Sequence, residues 1–529
     1  MKYYYVIIIF FQITLIAAQT YQNVQVNING GPEETSIYIN PKNTNQIVAG
    51  ANINYFYYSG NGGFNWTQGT IVDNQNGVWG DPAITADTAN NFYYFHLAVA
   101  PGYTAYDRVV CAKSSDAGAT WWSPGTYTGV NDPKVQDKVW PGIDRTHGPR
   151  GNWIYITWTQ FDHYNSYNNN DSSIILFSRS TNGGLNWSTP LRISPIAGSC
   201  VDDKNTMEGA VPAVGPNGEL YVGWAGPKII DSQWGIFLQK STDGGNSWLS
   251  SPIYVCDQNG GWDYNVQGIY RANGLPITCT DISNGPYRGN IYINWTDQAG
   301  TNDHDVKFIK STDGGNTWGS IKRVNNDPAG KEQFFSWMCV DQSTGYIYFV
   351  FYDRRNYNYP DLSTDVYMAR STDGGETFTN FIVSSSPFIP NSGVFFGDYT
   401  NVSAVNGHVR PIWTRLQSGS LSVWTAIVEF PTLVRNENKD VPKAISLNQN
   451  FPNPFNPSTK IKFSIPKEEF TNLIIYDASG REVTRLVYED LKPGSYEVEW
   501  NATNFSSGVY YYRFETENFI ETKKMVLIK

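Results

Sequence analysis

The chain has 529 residues, which is too many for one compact core, so two or more folding units are expected. Aromatic residues make up 15% and charged residues only 16%, with 48 Gly and 28 Pro, a mixture typical of many short strands joined by tight turns. The net charge of −10 argues against nucleic acid and anionic membranes as partners, because both require a basic surface.

The N-terminal segment has the layout of a secretory signal peptide. A lysine precedes an apolar run that ends at about Ile16, and two alanines follow it. The run is short for a membrane-spanning helix, so we predict a signal peptide at 1–18, cleaved before Gln19. A retained membrane anchor is the alternative interpretation. No later segment is long and apolar enough to predict a transmembrane helix after the signal is removed.

Six segments repeat one spacing: Ser, then Asp or Asn two residues later, Gly four later and an aromatic residue seven later. They begin at Ser59, Ser114, Ser180, Ser241, Ser311 and Ser371. The Asp or Asn side chain is expected to accept hydrogen bonds from backbone N–H groups one or two residues ahead, while glycine supplies a positive φ. Each segment therefore predicts a rigid hairpin turn, with its terminal Trp or Phe folded back into an apolar layer.

These six turns resemble the Asp-boxes (BNR repeats) of sialidase-like β-propellers. The resemblance implies structural turns between the third and fourth strands of a blade, a role that falls on Asn61, Asp116, Asn182, Asp243, Asp313 and Asp373. Metal binding or catalysis by these side chains is disfavoured, because a calcium loop requires several more oxygen ligands at fixed spacing.

A second pattern alternates with the first: an apolar run, a polar turn and another apolar run, typical of the two inner strands of a blade. It occurs seven times, at 35–51, 83–96, 141–158, 210–224, 276–295, 335–352 and 400–413. We therefore predict an all-β fold with a seven-bladed propeller at 19–433, in which an N-terminal strand can complete the last blade. Six blades, the number in true sialidases, is the alternative.

The cysteines and the acidic loops give few further constraints. Five cysteines fit no zinc or haem spacing, and Cys200 and Cys256 are either a disulfide or buried free thiols. No cofactor or metal is predicted. The segment TNDHD at 301–305 offers oxygen ligands for calcium, although a solvated turn explains it as well.

The C-terminal part of the chain forms a separate unit. Residues 434–446 are polar and predict a linker, whereas 447–529 predicts about seven short strands in a small immunoglobulin-like β-sandwich. The stretches FPNPFNP, YDASGREV and GVYYYRF resemble the C-terminal sorting domain of proteins exported by the type IX secretion system. The resemblance implies a partner in that machinery and a protein that is secreted or held at the outer-membrane surface. An ordinary immunoglobulin-like binding module is the alternative.

Strand connectivity predicts which face of the propeller carries function. The inner strands begin, and the second strands end, on the face opposite the six repeat turns; we call it the funnel face. Candidate catalytic residues at these positions are Asp81, Glu208, Asp353, Asp398 and Tyr399. Candidate ligand-binding residues there are Arg271, Asp297, Arg354, Arg355 and Arg415. The loops that follow, at 100–108, 161–171 and 356–365, are rich in Tyr and Asn, a mixture suited to sugar rings.

The sequence leaves the choice between an enzyme and a binding protein open. A sialidase requires three arginines for the substrate carboxylate, a Tyr nucleophile with a Glu partner and an Asp acid/base. The Arg-Ile-Pro motif of that family before the first Asp-box is absent, since the first arginine is Arg108. We therefore favour a propeller that binds glycans or other extracellular polymers, with a glycoside hydrolase as the alternative.

Overall fold

The computed structural model describes residues 21–27, 29–103, 105–131, 133–228, 233–300, 302–430, 433–436, 442–502 and 505–529. The predicted signal peptide lies outside these residues. Every regular element in the described ranges is a β-strand. No helix among them has the length and apolarity needed to cross a membrane.

Seven four-stranded antiparallel sheets follow one another along the chain and form a seven-bladed propeller. Strand β1 (Gln22–Gln25) comes first. Blade 1 consists of β2 (Ser36–Asn40), β3 (Asn43–Ala51), β4 (Tyr55–Ser59) and β5 (Thr67–Thr70). Blade 2 consists of β6 (Gly80–Ala86), β7 (Phe92–Ala98), β8 (Arg108–Ser114) and β9 (Thr126–Thr128). Blade 3 consists of β10 (Val135–Ile143), β11 (Ile154–Phe161), β12 (Ser173–Ser180) and β13 (Leu191–Arg192).

The remaining blades repeat this order, with one inserted hairpin. Blade 4 consists of β14 (Glu208–Val214), β15 (Leu220–Pro227), β16 (Trp234–Ser241) and β17 (Ile253–Asp257). The hairpin comprises β18 (Asp263–Tyr264) and β19 (Ala272–Asn273). Blade 5 consists of β20 (Ile277–Thr280), β21 (Ile291–Gly300), β22 (Asp303–Ser311) and β23 (Lys322–Arg323). Blade 6 consists of β24 (Gln333–Asp341), β25 (Tyr346–Asp353), β26 (Asp365–Ser371) and β27 (Thr379–Ile382).

The last blade joins the two ends of the propeller. It consists of β28 (Asn401–Val405), β29 (His408–Gln417), β30 (Ser420–Glu429) and the N-terminal strand β1. The register of the closing pair runs from Gln22 opposite Ile427 to Gln25 opposite Trp424. The prediction that the first strand completes the last blade is confirmed, and the six-bladed alternative is wrong.

The six repeat turns connect the third and fourth strands of blades 1 to 6. In each turn the amide of the Gly four residues after the Ser donates to its hydroxyl, at 2.9 Å. The Asp or Asn accepts from the amide four residues ahead rather than one or two, for example from Asn65 to Asn61 at 3.0 Å. Hydrogen bonds from the Thr317 hydroxyl and amide and from Ser311 lower the pKa of Asp313 to about 2. The Ser and the Asp or Asn of each repeat turn therefore fix its backbone through hydrogen bonds inside the turn.

The Ser of a repeat turn is expected to contribute measurably to stability. Ser311→Ala leaves the amide of buried Gly315 without its acceptor, so we expect a loss of about 1–3 kcal/mol in the free energy of unfolding. The control is Ser320→Ala at an exposed position of the following loop, with a change within about 0.5 kcal/mol. Urea unfolding of the full chain followed by tryptophan fluorescence measures both variants. Equal effects of the two would contradict the role of the turn.

The tail is a β-sandwich of two four-stranded sheets. One sheet contains β31 (Leu433–Asn436), β32 (Ser446–Leu447), β33 (Ser458–Ile465) and β36 (Gly494–Asn501). The other contains β34 (Glu469–Asp477), β35 (Glu482–Leu491), β37 (Gly508–Glu515) and β38 (Ile520–Leu527). The sandwich has eight strands rather than about seven, because β31 pairs with β36 inside the stretch predicted as the start of the linker.

All five cysteines are unpaired thiols in the structure. Cys200 and Cys256 are both buried, so of the two interpretations of this pair the structure has the free thiols. Burial raises the pKa of Cys256 to about 12, which makes it a poor thiolate at neutral pH.

Candidate functional site

A β-bulge at the start of the inner strand aims side chains at the propeller axis in four blades. The register shifts at the steps Gly80/Ala83, Asp137/Trp140, Glu208/Val211 and Phe334/Trp337. A residue with positive φ lies in each step: Asp81, Lys138, Gly209 and Phe335. Bulges re-aim side chains at strand ends, and here they bring charged groups of neighbouring blades together.

Seven carboxyl groups and two basic side chains influence one another electrostatically where these strands begin. We call the nine side chains the funnel ring: Glu33, Glu34, Asp81, Asp137, Lys138, Asp202, Glu208, Arg271 and Asp398. They come from the first strands of blades 2, 3 and 4, the segments that precede blades 1, 4 and 7, and the inserted hairpin. Four of the predicted site residues belong to the ring: Asp81, Glu208, Arg271 and Asp398.

Both bases of the ring bind one carboxylate. Lys138 Nζ lies 2.7 Å from Asp398 Oδ2, and Arg271 Nε donates to Asp398 Oδ1 at 2.8 Å. Asn273 Nδ2 also donates to the main-chain oxygen of Asp398 at 2.8 Å. Although burial acts to raise it, the charges of Lys138 and Arg271 hold the pKa of Asp398 well below its usual range. Asp398 is therefore a fixed anion that positions the two bases.

Three other carboxyl groups of the funnel ring have raised pKa values and hold protons near neutral pH. Burial, with the charges of Asp81 and Asp398 adding to it, raises the pKa of Glu33 to about 7. Burial outweighs the opposing charge of Lys138 and raises the pKa of Asp137 to about 8. The pKa of Glu208 is raised well above its usual range by burial and by Asp137.

Three aromatic side chains pack together next to the funnel ring and fill the propeller axis. The ring centroids of Trp140 and Trp337 are 4.3 Å apart, and that of Tyr399 lies 5.1 Å from Trp140 and 6.2 Å from Trp337. The cavity beside them, lined also by Lys138 and Asp398, measures about 20 Å³. That volume holds about one water molecule and excludes a sugar ring. Tyr399 is thus packed into this closure.

An exposed aromatic stack borders the funnel ring. The rings of Trp79 and Tyr106 lie 4.8 Å apart and 17° from parallel, and Trp79 is 51% exposed. The pKa of Tyr106 is raised, chiefly by burial. The charges of Asp137 and Asp81 and of two further members of the funnel ring also act on it. One face of the Trp79 indole is covered by Tyr106, so the other face is open next to the ring.

Five predicted site residues lie away from the funnel ring. Asp353 and Arg355 form an ion pair, Oδ2 to Nη2 2.7 Å, and Arg355 reaches Asn380 on the outermost strand of blade 6. Arg354 binds Glu332 and Thr364. These polar contacts lie within blade 6 and the residue that precedes it, and they do not include Asp398. A functional role for these residues stays a prediction.

The last two of these residues also have their contacts outside the funnel ring. Arg415 donates to Ser386 Oγ at 3.0 Å and lies over the Trp424 ring. Asp297 is buried at the end of blade 5, where burial raises its pKa to about 7. Within the described residues, neither side chain forms a hydrogen bond or an ion pair with a member of the funnel ring.

The acidic segment at 301–305 has a structural explanation. Asp305 accepts from Lys307 Nζ and Asn325 Nδ2, at 2.9 and 2.8 Å, and pairs with Arg323. No group of three or more His, Cys, Asp or Glu side chains in the described part of the chain is arranged to hold a metal ion. Thr301 lies outside the described residues, and calcium binding by this loop stays a prediction.

Five members of the funnel ring are not among the predicted site residues: Glu33, Glu34, Asp137, Lys138 and Asp202. The strand β10 begins at Val135, whereas the pattern predicts its start near Pro141, so Asp137 and Lys138 lie outside the predicted strand. Glu34, Asp81 and Lys138 each lie two residues before the point where the inner strand begins or resumes its pairing with the next strand, and all three have positive φ. Aligning the inner strands on this point finds Glu34 and Lys138, with Glu33 and Asp137 one residue before them, but not Asp202.

Comparison with known families identifies the tail. Residues 449–529 match the secretion system C-terminal sorting domain. The protein is therefore secreted or attached at the outer-membrane surface, and its tail serves the secretion machinery. No curated protein matches the chain.

Several solved structures are similar to the chain at low identity. A protein of unknown function from Dyadobacter fermentans is 13% identical, over 78% of this chain and 98% of its own, with a TM-score of 0.45. A Hadza microbial sialidase is 12% identical, over 72% and 73%, with a TM-score of 0.43. An ulvan lyase, a polysaccharide lyase, is 11% identical, over 77% and 96%, with a TM-score of 0.45.

Proposed function

We propose that this protein is a secreted or cell-surface propeller that binds glycans or other extracellular polymers through its funnel face. The observation that carries the proposal is the open indole face of Trp79, stacked on Tyr106 beside the charged groups of the funnel ring. A sugar ring packs its apolar face on an aromatic side chain while its hydroxyl groups form hydrogen bonds with polar neighbours and donate to carboxylates. Trp79 and Asp81 offer both within three residues of the chain.

The shape of the face supports binding across a surface. The axis is closed at Trp140, so a ligand rests on the mouth of the funnel instead of entering it. Further aromatic side chains project from the predicted loops: Tyr103 is 40%, Tyr167 85% and Tyr359 72% exposed. A polymer can contact several of these aromatic side chains at once, whereas a single sugar can contact only one.

A glycoside hydrolase is the second candidate, favoured by one specific observation. Glu33 and Asp137 hold protons near neutral pH, as the general acid of a glycosidase does. Sialic acid is not the substrate proposed, because three arginines are needed to hold its carboxylate. The funnel ring, as described, contains one arginine, Arg271, and Asp398 already binds it.

Trp79→Ala is expected to weaken polysaccharide binding by at least tenfold, because the open indole face is lost. The full chain is first applied to an array of plant, bacterial and sialylated glycans, and affinity for the retained glycans is then measured by calorimetry. Leu185→Ala is the matched control, since Leu185 is 56% exposed in a repeat turn on the opposite face. If Trp79→Ala binds as tightly as the parent chain, the proposed surface is wrong.

Product analysis separates binding from hydrolysis. The same glycans are incubated with the full chain, and released sugars are identified by mass spectrometry. Sugars that appear with the parent chain and disappear with Asp137→Asn would establish a glycosidase with an acid in the funnel ring. Retention without any product supports the binding protein, and free sialic acid would contradict the argument from the arginines.

A further inference from the structure

We propose that the funnel ring selects a cationic sugar: an amino-sugar residue of a polysaccharide, carrying a free ammonium group and seated on the open face of Trp79. The inference rests on the proposed glycan binding and narrows the ligand class. It follows from the charge balance of the ring, from a carboxyl oxygen without a partner and from the aromatic stack.

The charge balance of the ring favours a cationic ligand. Seven carboxyl groups face two bases, and both bases bind Asp398, by Lys138 Nζ at 2.7 Å and Arg271 Nε at 2.8 Å. The nearest other contact of Arg271 is Asp202, at 3.7 Å. The other carboxyl groups therefore have little positive charge near them, and the buried ones among them hold protons near neutral pH. A bound cation would favour their ionised forms. A sugar carboxylate would find both bases already bound to Asp398.

A second observation points to a missing hydrogen-bond donor. Glu208 is fully buried, its Oε2 accepts from the Gly209 amide at 3.1 Å, and its Oε1 has no partner. This carboxyl group lies among members of the funnel ring, since the charges of Asp137, Lys138 and Asp202 all act on it. Asp202 Oδ1, nearer the mouth, also lacks a partner. A buried acceptor without a donor is costly, and an ammonium group carries three donors.

The aromatic stack adds the third element of cation recognition. An ammonium group is attracted to the face of an indole, and the attraction grows where water is displaced. Trp79 lies two residues before Asp81, and its partner Tyr106 is within the electrostatic influence of Asp81, Asp137 and Asp202. The Trp79–Tyr106 stack therefore borders the carboxyl groups that act on Tyr106.

An amino sugar fits this combination better than a lysine side chain. A sugar ring offers a flat apolar face for the indole and bears its ammonium group directly on that ring. The exposed Tyr103, Tyr167 and Tyr359 extend the aromatic surface for neighbouring sugars of a chain. A lysine peptide is the competing ligand, and the experiment includes it.

The test is a matched titration of the full chain with a glucosamine hexamer and with its fully N-acetylated counterpart, near pH 6, by calorimetry. We expect the hexamer with free amines to bind at least tenfold more tightly. Asp202→Asn, which retains an acceptor for the hydroxyl of Tyr164, is expected to remove most of that preference. Glu208→Gln is the second variant, and each is checked for an unchanged thermal midpoint. Glu219→Gln, in the turn between the first two strands of blade 4, is the control.

Each outcome supports the proposal or overturns it. Equal affinity for the two hexamers overturns the cationic ligand while leaving glycan binding intact, as does tighter binding of a uronic acid oligomer. Binding of hexalysine without binding of either sugar overturns the amino sugar and retains the cation. If neither hexamer binds and the glycan array is also blank, glycan binding itself fails. A preference for free amines that survives in both Asp202→Asn and Glu208→Gln overturns the assignment to the ring.

Discussion

Asp398→Asn is expected to lower the free energy of unfolding of the propeller by about 3–5 kcal/mol. The side chains of Lys138 and Asp398 are 6% and 2% exposed, so the Lys138 ammonium group cannot turn to water when its carboxylate partner at 2.7 Å is removed. Arg271, which is 42% exposed, can partly turn outward, and the loss therefore arises mainly at Lys138. Urea unfolding of the full chain measures the change.

A double-mutant cycle separates the ion pair from general damage. Lys138→Met alone leaves Asp398 with Arg271, and we expect it to cost less than Asp398→Asn. The double variant Lys138→Met with Asp398→Asn leaves no buried unpaired ammonium group, so it should be more stable than Asp398→Asn alone. If the two effects simply add, the pair does not stabilise the funnel ring as described.

The sequence predicted the propeller well because its turns are local. Each repeat turn is closed by contacts within seven residues, such as the bond from Gly315 to Ser311, so a short spacing specifies its geometry. Seven pairs of apolar runs then predicted seven blades. The N-terminal strand that belongs to none of these pairs predicted that β1 completes the last blade. The sandwich was predicted for the same reason, although β31 was missed because its pairing partner β36 is about 60 residues away.

The candidate site was predicted only in part, because its contacts are not local. Position relative to a strand end was enough to select Asp81, Glu208 and Asp398. It did not distinguish them from Asp353, whose partner Arg355 comes two residues later and binds it within blade 6. The bulges at the inner strands were invisible to a pattern of apolar runs, and with them Asp137 and Lys138. Which charged groups meet at the axis depends on ring closure, which joins residues such as Lys138 and Asp398 across 260 positions.

The stability of the propeller is expected to fall as pH rises from about 6.5 to about 8. Burial, against the charge of Lys138, raises the pKa of Asp137 from 3.8 to about 8, so the folded state holds a proton that the unfolded state has released. Each such group costs about 1.4 kcal/mol per pH unit until its folded pKa is reached. Glu34 and Glu208 act in the same direction, because burial raises the pKa of both well above 4.5.

Two buried histidines explain why the expected fall in stability begins near pH 6.5. Burial lowers the pKa of His96 and of His304 to about 4, so below their ordinary value of 6.5 the unfolded state binds more protons there. The histidines therefore make stability rise with pH between about 4 and 6.5, and this rise offsets the fall caused by the carboxyl groups. Above 6.5 both histidines are neutral in either state, and the fall caused by the carboxyl groups is no longer masked.

Asp137→Asn is expected to remove about 1.4 kcal/mol per pH unit from the slope between pH 6.5 and 8, since asparagine does not titrate. Urea unfolding of the full chain at intervals of about half a pH unit measures the slope. Asp361→Asn is the control, because hydrogen bonds from Ser363 lower the pKa of this exposed carboxylate and keep it ionised throughout the window. Its curve should run parallel to that of the parent chain. An unchanged slope in Asp137→Asn would mean that the retained protons belong to other carboxyl groups of the ring, with Glu208→Gln as the variant that then has to flatten it.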